Sequence, residues 1–239
     1  MPATKLKVTL LSHTLNPEEV VAAAINQCYS AKGGSELKET IPEDKRKRLI
    51  DLVVASGHHS TIEHASFSFA VEGVSRALTH QLVRHRVASF SQQSQRYVAV
   101  KQGDFNYLIP PAIAAKPELK EKFEAKMQEI GSFYLELIEN GILAEDARSV
   151  LPNAAETKIV VTMNARELLH FFQHRLCIRA QLEIRQMAAE MLKIVKPLAP
   201  NIFAHAGPSC ETEKICWEGN LSCGKWKGIK GAELRSRGA

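Results

Sequence analysis

The segment Gln81 to Tyr97, QLVRHRVASFSQQSQRY, concentrates side chains suited to holding an anion. Arg84, His85, Arg86 and Arg96 bring cationic or imidazole groups, and Gln92, Gln93, Ser94 and Gln95 add neutral hydrogen-bonding groups. From Gly73 to Gly103 there is no Asp or Glu, while Arg76, Arg84, Arg86, Arg96 and Lys101 all fall there, so this stretch favours anionic partners. A helix turns by about 100° per residue. On a helix Arg84, His85 and Arg86 therefore fan around the axis and contact several groups rather than one small anion. Ser94 and Arg96, two residues apart, share one side of an extended chain. A solvated basic face followed by a polar loop fits the charge pattern equally well.

A second arginine stands out. Arg175 and Arg179 are four residues apart in a helical pattern, a like-charge pair that costs about 0.2–0.5 kcal/mol. Arg179 has Glu183 four residues on. Arg175 has Phe171, Phe172, Ile178 and Arg179 at three and four residues and no acid, so it is expected to find its partner outside the helix, and a ligand would supply one. Arg148 has Glu145 three residues before it, the spacing of an ordinary helix-surface pair.

Other constellations are less pointed. The run Gly57 to His64, GHHSTIEH, suggests a metal-dependent hydrolase built on His58, His59, Glu63 and His64, but it misses the H-x-x-E-H spacing by one residue and opens on a glycine. His205, Cys210, Cys216 and Cys223 are ligand types that structural zinc accepts, yet they lack paired C-x-x-C spacing, and free thiols in a soft loop are the simpler reading. No G-x-G-x-x-G is present. GNLSCGKW from Gly219 copies a phosphate-binding loop as far as Lys225, but Trp226 stands where the metal-binding hydroxyl belongs.

These residues need elements to hold them. Leu6, Val8 and Leu10 alternate with polar residues and predict an opening strand. Asn16 as capping side chain, Pro17 and Glu19 then start a helix through Cys28. Gly33 and Gly34 mark a loop, and Pro42 starts a helix that buries Leu49, Ile50, Val53 and Val54, leaves Lys45 to Arg48 wet and stops at Gly57. Ala65, Phe67, Phe69 and Val71 predict a half-buried strand, and Leu78 and Leu82 a helix behind it. Phe105 to Ile109 reads as a short strand. Pro117 to Asn140 reads as a long helix with Leu119, Phe123, Met127, Ile130, Tyr134 and Leu137 in the core, closed by Gly141. Lys158 to Met163 predicts a strand. Asn164 and Glu167 form a capping box ahead of a helix, interrupted or not, that runs from Ala165 to about Lys196 and ends before Pro197 and Pro200.

The 239 residues carry 31 Lys+Arg against 26 Asp+Glu, and 45% are hydrophobic, which excludes disordered and disulfide-scaffold classes. A core of this size buries ~75% of the unfolded chain's surface without staples. No apolar stretch approaches the ~20 residues that cross a bilayer, and the N-terminal run has no cleavage site behind it, so a cytoplasmic location is expected. Five cysteines, with Cys28 and Cys177 in apolar patterns, fit a reducing compartment. The architecture expected is one helix-rich α+β domain.

The pattern RHR, seven residues, then S-x-R, met by Arg84-His85-Arg86 and Ser94-Gln95-Arg96, resembles the signature of the flavin-dependent thymidylate synthases. GHHSTIEH resembles that family's early flavin motif, ARSVLP from Ala147 its second arginine segment and MNARELLHFFQHR from Met163 its late helix, so the likeness reaches about Lys196. It implies reductive methylation of deoxyuridylate (dUMP) to thymidylate, with methylenetetrahydrofolate as carbon donor, FAD as hydride carrier and NADPH as reductant. It further implies an antiparallel sheet flanked by helices, in a homotetramer whose subunits share active sites.

By matched position, Gln81, Arg84, Gln92, Gln93, Ser94, Gln95, Arg96, Arg148 and Arg175 would hold dUMP, with Arg175 as the catalytic residue that polarises the uracil ring. Ser60, Arg84, His85, Arg86, Gln92, Asn164, Arg166 and His170 would hold FAD. Thr61 stands where the family usually has proline, and His170 where asparagine or a similar donor meets the flavin. No resident metal is implied. Residues 1–200 are then the catalytic domain and 201–239 a cysteine-bearing tail of no assigned role. The rival expectations are a flavin enzyme that methylates another uracil-containing substrate, the metal hydrolase above, and a nucleic-acid-binding protein that uses the acid-free segment. On the leading reading neither nucleic acid nor membrane is a partner.

Overall fold

The computed structural model describes residues 4–98, 105–226 and 228–231; Lys101 and Gly103, the end of the acid-free stretch, lie outside them. Lys7–His13 forms β1. Pro17 opens α1 (Pro17–Gln27). Asn16 adopts a left-handed conformation (φ 47°) and makes no side-chain cap, contrary to expectation; its Nδ2 instead donates to Glu19 at 3.0 Å. The expected glycine loop shrinks because Gly34 already begins α2 (Gly34–Thr40), a short turn of helix held down by buried Leu37.

α3 (Glu43–Ala55) buries Ile50 and Val53 and leaves Lys45, Lys47 and Arg48 exposed. A 3₁₀ turn, His59–His64, leads into β2 (Ser66–Ser75), where Phe67, Phe69 and Val71 are buried as the alternation predicts. Ser75 caps α4 (Arg76–Leu82), its hydroxyl accepting the Leu78 N–H at 3.1 Å. After β3 (Ala88–Gln92) come α5 (Pro111–Ala114), α6 (Pro117–Glu139) and α7 (Ala144–Ala147). β4 (Glu156–Asn164) then feeds α8 (Ala165–Arg175) and, after a break, α9 (Leu182–Val195). Beyond residue 200 lie α10 (Ser209–Thr212) and a parallel pair of two-residue strands, β5 (Ile215–Cys216) and β6 (Ile229–Lys230).

The main sheet has the order β1-β2-β4-β3. Its strands run antiparallel. Thr14 N–H reaches Ser66 O, and Ala165 N–H reaches Ala65 O, while Arg76 N–H at the far end of β2 reaches Ala155 O ahead of β4. Gln93 N–H, just past β3, reaches Lys158 O near the start of β4. The strand expected at Phe105–Ile109 is reduced to one antiparallel bridge, Tyr107 to Ala155, because Pro110 and Pro111 bring no N–H to extend a ladder. Gly73 (φ +68°) is required where it stands, since a Cβ there would fall 2.0 Å from the Lys5 carbonyl oxygen.

The chain divides into two compact units, and each main-sheet strand contributes residues to both. The first, Met1–Thr9, Ala70–Arg84 and Phe90–Val161, has a core of Phe105, Tyr107, Met127 and Ala155 packed by Phe123 and Ile130 of α6. Leu119, expected in that core, is 47% exposed because it sits in the first turn of α6. The second, Leu10–Phe69, His85–Ser89 and Thr162–Ala239, is centred on Phe67 against Phe203 at 5.7 Å and Phe203 against Phe172 at 6.0 Å. Burying each such ring stabilises by about 1.5–3 kcal/mol. Among the described residues no helix is long and apolar enough to cross a membrane.

Candidate functional site

α8 starts as its sequence dictates. Asn164 Oδ1 accepts the Glu167 N–H at 2.9 Å, the first half of a capping box. The Glu167 carboxylate serves elsewhere: its Oε1 lies 3.0 Å from His85 Nδ1 and 3.5 Å from His170 Nδ1. His85 and Glu167 are both buried. Arg175 Nε donates to His85 Nε2 at 3.0 Å.

Arginine has donors and no acceptor, so His85 Nε2 must accept, and the ring proton then sits on Nδ1, where it is donated to Glu167. Burial, and then the charges of Arg175, His170 and His174, pull His85 down to about 3, so the ring is neutral at ordinary pH. Burial also lowers Arg175. The outside partner that the sequence demands for Arg175 is thus a residue of the chain itself, ninety positions away, which helix spacing could not reveal.

Beside α8 opens a cavity of about 1450 Å³. Asn164, Arg166, Glu167, Leu169, His170 and Gln173 form one wall, and Lys47, Asp51, Val54 and Ala55 of α3 with His59 and Glu63 form another. Asn201, Ile202, residues 204–207, Thr212 and Glu213 close it. This last wall is anchored: Glu18 of α1 accepts the Asn201 and Ile202 N–H groups at 2.6 and 3.2 Å and Asn201 Nδ2 at 2.6 Å, while Glu213 receives Gln173 Nε2 and Trp217 Nε1.

Of the residues expected to hold FAD, Asn164, Arg166 and His170 line the cavity. Ser60 and Arg86 are exposed and do not line it, although His59 and Glu63 from the same turn as Ser60 do. The hydrolase set does not assemble, since Arg166 Nη1 lies 2.5 Å from Glu63 while His58 and His64 are exposed. Among the described residues the group of three potential metal ligands within 4.8 Å is His85, Glu167 and His170, where Arg175 already supplies positive charge 3.0 Å from His85. His205 joins the cavity wall rather than the tail thiols. Buried Cys216 donates to Ser222 at 3.5 Å, and Cys210 is raised by burial first, then by Glu211 and by the thiols of Cys177, Cys216 and Cys223.

The expected nucleotide residues divide between the units. Gln81, Arg84, residues 92–96 and Arg148 belong to the first, and Arg175 to the second. Arg84, His85 and Arg86 leave α4 and do not fan around it: the helix ends at Leu82, and the three alternate exposed, buried, exposed, as a non-helical chain does. Ser94 to Tyr97 is a turn, with the Arg96 N–H on Ser94 Oγ at 3.2 Å and the Val98 N–H on Ser94 O at 3.0 Å, so the extended spacing does not apply.

Gln92 spends its amide on Thr79 and Thr157, each at 3.1 Å. Glu145 takes Arg96 through Nε at 2.9 Å and Nη2 at 2.7 Å, whereas Arg148 Nε donates only to the Glu145 backbone carbonyl at 3.0 Å, so the expected Glu145–Arg148 ion pair gives way to one between chain-distant residues. Arg76, which the sequence marks only as part of a basic stretch, donates to Gln93 O at 3.3 Å, and its guanidinium is lowered by burial and then by Arg148. Its signal was the acid-free run. Glu167 and the wall from residue 201 carried no chemical signal, since one reads as a cap and the other as a tail.

Residues 9–201 match the family described as thymidylate synthase complementing protein. The flavin-dependent thymidylate synthase of Geobacter sulfurreducens is 51% identical over 225 residues, 94% of this chain and 97% of that one. That of Clostridium tetani is 49% identical over 236 residues, 92% and 94% of the two chains. A crystal structure of the UMP/dUMP methylase PolB from Streptomyces cacaoi, bound with 5-Br dUMP, shares the fold at a TM-score of 0.72 and 24% identity, covering 85% of this chain and 96% of that one.

Proposed function

Because this chain belongs to the flavin-dependent thymidylate synthases, we propose that it reductively methylates dUMP to thymidylate, with methylenetetrahydrofolate as carbon donor, FAD as hydride carrier and NADPH as reductant. The observation that carries this reading is the convergence of Asn164, Arg166 and His170, residues matched to the family's flavin contacts, on one large cavity.

The cavity fits a flavin dinucleotide in size and chemistry. Val54, Val87, Leu169 and Ile202 offer apolar surface for a ring system, and Lys47, Arg166 and His205 offer donors for phosphates. Asn164, Arg166 and His170 would hold the cofactor, with Ser60, Arg84, His85, Arg86 and Gln92 as further family positions. FAD, when bound, supplies the hydride.

The protein's part is to bind and polarise dUMP. Arg175 set against the uracil amide and carbonyl stabilises negative charge as the ring becomes nucleophilic, a charge-assisted bond worth about 1.5–3 kcal/mol. The crowding of Arg76 against Arg148 favours an anion beside them, which supports Gln81, Ser94, Gln95, Arg96 and Arg148 as phosphate and sugar contacts. Gln92 and Gln93 complete the nucleotide set. Ser94 Oγ already accepts the Arg96 N–H and serves binding rather than covalent attack.

The proposal extends to assembly and location. Residues 1–200 form the catalytic body, and the segment from 201 contributes a wall to its cavity. The assembly that the family likeness implies is a homotetramer with shared sites. Five free cysteines support a cytoplasmic location.

The test is anaerobic conversion of dUMP to thymidylate by the purified protein with methylenetetrahydrofolate and NADPH, with and without added FAD. Product that depends on both flavin and folate is expected. A folded, flavin-loaded protein that makes none overturns the choice of substrate, and a protein that binds no flavin overturns the reading altogether.

A further inference from the structure

We infer that Glu167 is a positioning residue for Arg175: by accepting the Nδ1 proton of His85 it fixes that ring with Nε2 bare, and bare Nε2 aims the Arg175 guanidinium through its Nε–H. The inference rests on the reading of Arg175 as the residue that faces the uracil ring.

Three observations carry it. First, the bonds run in one sense, Arg175 to His85 at 3.0 Å and His85 to Glu167 at 3.0 Å, and the donor-only chemistry of arginine leaves no other tautomer that satisfies both. Second, the ring is clamped. Phe171 meets it edge-on at 4.9 Å, His170 at 5.4 Å and His174 at 6.5 Å, so His85 does not turn freely to offer the wrong nitrogen. Third, Glu167 stands at a capping-box position, yet its carboxylate is turned into the interior toward His85.

An imidazole suits this task better than a carboxylate. Glu63 on Arg166 and Glu145 on Arg96 orient their arginines by placing a negative charge on the guanidinium. A neutral ring at the Arg175 Nε fixes the guanidinium plane and itself adds no negative charge there. Moving the carboxylate one residue away, behind the imidazole, separates orientation from neutralisation.

The test uses the FAD-loaded enzyme with nitrogen-15 in its histidines. In the wild type one histidine, identified by its loss in His85→Gln, is expected to show a protonated Nδ1 and a bare Nε2 across about pH 5 to 8. In Glu167→Gln the amide oxygen accepts more weakly than the carboxylate and the amide nitrogen competes to donate to Nδ1, so the preference for that state weakens. Turnover then falls about 10–100-fold, while KM for dUMP moves far less because the phosphate contacts remain. A wild-type ring protonated on Nε2 or on both nitrogens overturns the inference, as does Glu167→Gln with normal kcat. If Glu167→Gln does not fold, the wild-type spectrum alone decides. Arg175→Ala is measured alongside. If it is inactive while Glu167→Gln turns over normally, only the positioning role falls; if Arg175→Ala stays active, the reading of Arg175 falls first and the positioning role with it.

Discussion

Two arginines marked for the same nucleotide are oriented in opposite ways. In α8, Arg175 is half-buried and its Nε rests on a neutral imidazole nitrogen. In the turn after β3, Arg96 has half of its side chain in solvent and grips the Glu145 carboxylate through two nitrogens. The first is aimed by a group that asks for no charge in return. The second is parked on an anion, and an exposed pair of this kind is worth only about 0–1 kcal/mol, so a phosphate can readily replace the carboxylate. The difference lies in the partner rather than in the arginine.

The strongest way to break this contrast is Arg175→Ala. It is expected to lower turnover about 10²–10³-fold while the thermal melt stays near that of the wild type. A large fall in the melt with nucleotide affinity unchanged at low temperature would make Arg175 a structural residue.

On the other side, Arg96→Ala should weaken dUMP about 10–100-fold by titration calorimetry, the loss of a charged hydrogen bond, whereas Glu145→Gln should tighten it a few-fold by removing the competing carboxylate. If Glu145→Gln weakens binding instead, Glu145 is a support for Arg96 and not a rival of the ligand.

The imidazole itself sharpens the comparison through pH. His85 titrates at about 3 in the folded chain against an ordinary histidine value of 6.5, so between these values the unfolded chain binds the extra proton. The His85 contribution to stability is therefore complete above about pH 6.5 and is lost as pH falls toward about 3, at no more than about 1.4 kcal/mol per pH unit. Urea titrations of His85→Gln between pH 4 and about 6.5 should show a flatter slope than the wild type; an unchanged slope would mean that the ring is not the titrating group.

The smallest effect concerns the scaffold. Asn164→Ala removes the α8 cap and should cost about 1 kcal/mol, a fall in Tm of about 2–4 °C by calorimetry, because Arg175 rides on a capped helix while Arg96 sits in a turn. A melt unaltered by the substitution would assign the start of α8 to tertiary packing alone.

Local physics was legible in the sequence wherever one segment decides its own state. Alternation found β1 and β2, the strand expected at Lys158–Met163 falls within β4, and the 3.6-residue period with its terminal glycine found α6. The Asn164 cap was readable because donor and acceptor lie three residues apart. What escaped depends on partners that only the fold brings together. Asn16 failed as a cap because Glu19 captured its amide. Arg148 lost its expected acid to Arg96 across 49 residues. His85 reads as one cation among three, and only its burial against Glu167 and Arg175 turns it into a neutral acceptor. In the site, then, residue types and their family positions were visible in advance, while protonation, pairing and the wall beyond residue 200 were not.

That wall has a consequence in time. Asn201 is held by a carboxylate of α1 that is synthesised 183 residues earlier. Glu18 therefore leaves the ribosome and waits on the first helix long before its partner exists, and the cavity lacks one side until Glu213 has emerged. A nascent or prematurely terminated chain can complete the main sheet and still leave this cavity open on one side.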